Sequence, residues 1–218
     1  MGVGTTGIVD ASGQVAISGR FPDWVGADLV AALIEPFDAP VHAGNDARLA
    51  ALAEHWRGVA AEARNVVYVH AGRRIAAALL IDGRPYAGEH GAAGEIGVLA
   101  SSRWDAAPGR LLERWGDAKA LFSAVRGRSW RLLRHWRSSP TNWCRVSPPW
   151  CWSPVTGGRR RGPVAGHNLL TEPLRRRLSD LCLFPVPVPA STLGDEAVAL
   201  GGVRLALDAV ERALFEVG

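Results

Sequence analysis

The chain has 218 residues, 48% of them hydrophobic and 21% charged, enough apolar sequence for a packed core and too much for wholesale disorder. No apolar run reaches the ~18 residues of a membrane span, no basic stretch leads into an apolar one at the start, and Cys144, Cys151 and Cys182 are too few for a disulfide framework. A cytoplasmic protein that does not cross a membrane is expected. The net charge of +4 belongs to one segment: residues 118–171 hold ten basic residues and no acid, and the remainder is net acidic.

Residues 4–10 and 14–18 read as two strands around the turn Ala11-Ser12-Gly13. Residues 27–37 have helical apolar spacing, interrupted by Pro36, and 40–43 form a short strand. The spacing predicts a helix over 46–56, with Leu49, Leu52, Ala53 and Trp56 on one face and Asn45 or Asp46 as its N-cap. Two apolar strands follow at 66–70 and 75–81, the second ending in the turn pair Asp82-Gly83.

Beyond Val125 the pattern breaks. Five of the nine tryptophans, five of the fourteen prolines and two of the three cysteines lie here, and neither helical nor strand periodicity persists. Three readings compete for 126–165: an Arg/Trp-rich arm for nucleic acid or a membrane surface, an irregular insertion, or a GC-rich gene read out of frame between two compensating frameshifts. The last is favoured, because acid-free Arg, Trp, Pro, Ser, Gly and Cys sequence is what such a misreading yields. Ordinary sequence returns near Gly166. A helix is expected over 169–181, an extended stretch over 185–190, and a long helix over 195–215 with Val198, Leu200, Val203, Leu207 and Val210 as its apolar face.

Few motifs carry chemistry. Gly2-Val3-Gly4-Thr5-Thr6-Gly7 has dinucleotide-loop spacing, but that loop needs a strand before it and a helix after it, and Ile8-Val9 continues as strand. Cys144, Cys151, His135 and His167 lack the paired spacing of a zinc site. Asn45-Asp46 stands at a strand-to-helix junction, where an amide and a carboxylate can cap the helix or grip a polyol, the carboxylate accepting a hydroxyl proton. Glu95 sits in Gly91-Ala-Ala-Gly-Glu-Ile-Gly97, whose glycines would let backbone approach a ligand.

In order, GVGTTGIVD, PVHAGNDARLAALAE, NVVYVHAGRRIAAALLIDGRPYAGEHGAAGEIG and ASTLGDEAVALGGVRLAL resemble the ROK family (repressors, open reading frames and sugar kinases) of the actin-like ATPase superfamily. The resemblance covers residues 2–125 and 166–216. It implies an incomplete actin-like (RNase H-like) α/β fold of two lobes with a sugar in the cleft. Residues 1–64 would be a remnant of the N-terminal lobe, 65–200 the C-terminal lobe, and 201–218 a terminal helix returning to the first. By the same resemblance Asn45 would bond sugar hydroxyls, and Asp46 matches the base that deprotonates the attacking hydroxyl in the kinases. Glu95 and Glu113 would hold further hydroxyls, and Gly72 is what survives of a phosphate loop that here reads His70-Ala71-Gly72-Arg73-Arg74.

The departures from the family pattern point away from phosphoryl transfer. The family's Asp-x-Gly-Gly-Thr loop should precede Met1. Val98 replaces the usual His, and no cysteine follows it before Cys144, so no zinc is expected. The pattern resembles a sugar-sensing transcriptional regulator that takes a hexose or amino-sugar, or its phosphate. It would reach DNA only through an N-terminal helix-turn-helix domain outside these residues. No cofactor is expected; ATP and magnesium enter only under the alternative of a glucokinase-type hexose kinase. A second alternative is nucleic-acid binding through the Arg/Trp segment. The intact family member is expected to be a homo-oligomer, and the isolated chain to be poorly soluble because faces of its first lobe lack their cover.

Overall fold

The computed structural model describes residues 1–19, 21–71, 75–98, 151–155 and 168–215. The opening stretch is two strands rather than one. Strand β1 (Gly2–Thr5) ends before Gly7, whose φ of 97° redirects the chain, and β2 (Ile8–Val9) begins a new pairing. Parallel to β1 runs β4 (His42–Asn45), with Thr5 opposite Asn45, while β2 pairs antiparallel with β3 (Val15–Ile17). The turn between β2 and β3 is held by Asp10, whose carboxylate accepts the Ser12 and Gln14 N–H groups.

Helix α1 (Leu29–Phe37) is capped by Asp28, which accepts the Ala31 N–H at 2.8 Å. Pro36 falls in its last turn, and Asp38, left-handed at φ 44°, stops it. Helix α1 buries none of its residues. Helix α2 (Asp46–Arg57) does the opposite. Residues 49–54 are all buried, because α2 lies between the terminal helix and the larger sheet. Four alanines, at 47, 50, 51 and 53, let both neighbours come close. The single apolar face expected at Leu49, Leu52, Ala53 and Trp56 is therefore too narrow: Trp56 is only half-buried, and Glu54 is buried completely.

The larger sheet has the order β7-β6-β5-β8. In it β5 (Val66–Ala71) pairs antiparallel with β6 (Ile75–Ile81), which pairs with β7 (Arg84–Tyr86) across the Asp82-Gly83 turn. Alternation along β5 feeds two cores. Val66 and Tyr68 join Ala78, Leu80 and α2 on one face; Val67 and Val69 meet Leu178 of α3 (Asn168–Leu181), Val186 and Val188 on the other. Leu80 is fully buried, so Leu80→Ala should lower unfolding stability by about 2–5 kcal/mol, read as a shift in denaturant midpoint.

Strand β8 (Cys151–Val155) runs parallel to β5 and is, among the described residues, the last strand of the sheet. It lies within the 126–165 stretch, where no strand is expected from the sequence. The last position in a sheet suits Pro154, which has no N–H to donate. The rest of that stretch lies outside the described residues.

Helix α4 (Ala197–Phe215) follows a 3-10 turn at Gly194–Glu196 and crosses the expected lobe boundary at 200/201 without a break. It packs on α2, β1 and β4. Its expected apolar face holds in part: Val198 and Leu200 pack against the core, Val203, Leu207 and Val210 are exposed, and the residues fully buried are Ala197, Gly201 and Gly202. A Cβ at Gly201 would overlap the backbone carbonyl of Leu49, and one at Gly2 would overlap that of Gly202. Backbone-to-backbone approach at Gly201 and Gly202, together with Val198 and Leu200, sets which side of α4 faces inward. Among the described residues no helix is long and apolar enough to cross a membrane.

Candidate functional site

The site forms where β4 becomes α2. Asn45 ends the strand and caps the helix: its Oδ1 accepts the Arg48 N–H at 3.1 Å, and its Nδ2 donates to the Gly7 carbonyl at 2.9 Å. The amide thus ties the helix start to the β1–β2 corner, and one N–H and one lone pair remain for a ligand. Asp46 is the first residue of α2. Its carboxylate accepts the Ala47 N–H at 2.8 Å. Burial raises its pKa, while the Ala47 N–H and then His70 act in the other direction.

Behind Asp46 lies a cavity of about 180 Å³. Its polar lining is Asp46, Tyr68, His70 and Asp195, the last beside Gly194; alanines of α2, β6 and α4 and Val198 of α4 make the rest. Burial, then the charges of Glu54 and Asp46, push the Tyr68 phenol up, so it stays a neutral hydroxyl. Burial lowers the His70 pKa, and Asp46 and Asp195 oppose that. The cavity therefore presents two carboxylates, a phenol and an imidazole against an apolar wall.

The loop 91–95 meets α2 at Arg48. Arg48 Nη2 donates to the Gly91 carbonyl at 3.1 Å, stapling the loop to the helix. Glu95 stands exposed at the rim. Desolvation, then Asp46, raise its pKa, and Arg48 opposes them. The loop glycines serve the protein's own packing: a Cβ at Gly94 would overlap the Ala77 carbonyl.

The structure thus places Asn45 next to Asp46 and Glu95 within electrostatic reach of Asp46; of the three only Asp46 lines the cavity. Glu113 and Gly72 lie outside the described residues, as do His135, Cys144 and His167. Sequence reasoning missed Arg48, Tyr68, His70 and Asp195. A lone histidine closing the apolar run Val66-Val67-Tyr68-Val69 was the available signal for His70. Nothing local marks Asp195, which reads only as a helix start.

A pH dependence follows. The depressed pKa of His70 means that the unfolded chain takes up a proton before the folded one does. The stability of the neutral form is complete above about pH 6.5 and is lost as pH falls through the folded pKa. His42, also lowered by burial, adds a share of the same sign. Thermal melts of His70→Gln should show a smaller loss between pH 7 and 5 than the unsubstituted chain. An equal loss in both would remove His70 from this account.

Residues 1–105 match the model of the ROK family. The chain is similar to the xylose repressor of Caldicellulosiruptor bescii, 26% identical over 130 residues that make 58% of this chain and 33% of the repressor. It is similar also to the uncharacterized protein CPE0188 of Clostridium perfringens, 32% identical over 216 residues, 98% of this chain and 65% of that one. The chain thus spans a third of the repressor and just under two thirds of CPE0188. A ROK family glucokinase from Streptomyces griseus, solved with glucose and AMPPNP, superposes with a TM-score of 0.69 at 20% identity, covering 95% of this chain and 81% of that one. A ROK family transcriptional regulator, a homolog of the E. coli MLC protein, superposes with a TM-score of 0.67 at 17% identity, covering 95% and 61%.

Proposed function

We propose that the chain is a member of the ROK family with its actin-like α/β fold, and that it is the sugar-binding part of a regulator that senses a hexose or amino-sugar and transfers no phosphate. The observation that carries this reading is the group of polar side chains, Asp46, Tyr68, His70 and Asp195, that lines the open cavity beside Asp46. Carboxylates accept hydrogen bonds from sugar hydroxyls, and a neutral phenol and imidazole both donate and accept. The alanine wall suits the apolar face of a pyranose ring. A repressor among the relatives supports the regulatory side. Contact with DNA, and assembly into a homo-oligomer, would belong to the whole protein.

The kinase alternative draws support from Asp46 itself. A carboxyl raised by burial is better matched to take a hydroxyl proton near neutral pH. A kinase also needs a polyphosphate and its magnesium held beside that base. Among the described residues the lining offers two carboxylates that suit a magnesium ion but no cationic side chain for the triphosphate. Arg48, the nearest cation on α2, is engaged with Gly91.

Calorimetric titration with D-xylose, D-glucose and D-glucosamine, beside a coupled ADP-release assay with the same sugars and Mg-ATP, separates these readings. Binding of one of them without ADP release is expected. Sustained ADP release would replace the regulator with the kinase, and absence of binding across the panel would remove the sugar site.

A further inference from the structure

Glu54 is the one charged side chain among the described residues that is fully buried, and it does not line the cavity. Its Oε2 accepts the Val59 N–H at 3.0 Å, closing the end of α2. Its Oε1 accepts the hydroxyl of Ser191, which is itself buried. The Ser191 oxygen in turn accepts the Leu193 N–H at 3.2 Å. The next two residues, Gly194 and Asp195, are the wall of the cavity that faces Asp46 and His70.

The stretch 185–191 joins no strand ladder, so side chains set its position. A buried carboxylate is an expensive way to fasten a segment, because an apolar pair of similar volume holds a core as well or better. A directional bond gives what an apolar contact does not: a fixed register of one segment on another. We propose that Glu54 and Ser191 are positioning residues, which set the Gly194–Asp195 wall against Asp46 and so tune ligand affinity from outside the cavity. Neither touches the ligand; Asp195 does. The proposal rests on the sugar-site reading above.

A double-mutant cycle between Ser191 and Asp195, read by calorimetry with D-xylose, D-glucose and D-glucosamine, tests it. Ser191→Ala should weaken the best-bound sugar about tenfold, in line with a wall displaced by a fraction of an ångström. Asp195→Asn should weaken it by a similar factor. The double variant should bind no worse than Asp195→Asn alone, and Ser191→Thr, which keeps the hydroxyl, should restore binding. A merely structural role would lower thermal stability yet give additive losses. Additive losses, or unchanged affinity in folded Ser191→Ala, would overturn the proposal and leave the sugar site standing. No binding of any of the three sugars by the unsubstituted chain would bring both down together.

Discussion

Gly201→Ala is expected to unfold the chain or to cost it at least about 3 kcal/mol. Within a helix this exchange ordinarily stabilises by about 1 kcal/mol, because alanine loses less backbone entropy. Here the added methyl would overlap the carbonyl oxygen and carbon of Leu49 and lie 2.8 Å from its Cα. All three are backbone atoms in the middle of α2, so no rotamer relieves the overlap. Either α4 lifts off α2, or α2 moves away from β5 and β6. Overpacking of this kind costs about 1–3 kcal/mol where side chains can yield, and more where they cannot. A small domain has only about 5–15 kcal/mol in hand. Val203→Ala, on the exposed side of the same helix, is the control and should change stability by less than about 1 kcal/mol. Urea unfolding of both variants gives the answer. A Gly201→Ala protein as stable as the unsubstituted chain would mean that α4 does not sit on α2 as described.

Asp46→Asn should separate function from stability. The carboxylate can accept hydrogen bonds from two sugar hydroxyls, and bonds to a charged group are worth about 1.5–3 kcal/mol each. Losing most of that is expected to weaken sugar binding about 100-fold. Stability should hold or rise, since asparagine keeps an oxygen for the Ala47 N–H and no longer buries a charge. The pH dependence carries the same signature with opposite signs. Because the folded pKa of Asp46 lies above its unfolded value, the folded state holds the extra proton in that window. Its contribution to stability is full at low pH and is lost as pH rises through the folded pKa. Sugar affinity should run the other way, falling as the carboxylate is protonated. Calorimetry and thermal melts on the two proteins read both effects. Equal sugar affinity in the variant would take Asp46 out of the site.

What the sequence made legible follows from how local its causes are. Helix α2 could be read because its cap, Asn45, and its alanines and leucines act within a few residues. Strands β5 and β6 could be read because both are apolar runs, with Asp82-Gly83 between β6 and β7. The break between β1 and β2 was hidden, because the chain there looks like continuous strand and only the positive φ of Gly7 divides it. The inward face of α4 was legible only in its first turn, where Val198 and Leu200 pack on the core; Val203, Leu207 and Val210 are exposed. Its valines and leucines mark an apolar stripe, but the close approach to Leu49 and Gly2 can be made only by Gly201 and Gly202. Asn45 and Asp46 were visible as a pair, while the division of labour between them was not: the amide is half used in holding the corner together, and the carboxylate faces the cavity. Glu54 gave no sequence signal at all, since its partner Ser191 lies 137 residues away. His70 and Asp195 meet for the same long-range reason, across β5 and the turn before α4.

On the proposed reading a sugar sits in the cavity against Asp46, between His70 and the Gly194–Asp195 turn. The most direct test is a titration of the isotope-labelled chain with D-xylose, D-glucose and D-glucosamine, followed by amide resonances. Saturable shifts are expected at Asp46, Ala47, His70 and Asp195, with Arg176 and Arg177 on the exposed side of α3 unchanged. Saturable shifts confined to α3 or to the exposed helix α1, or no shift with any of the three sugars, would contradict it.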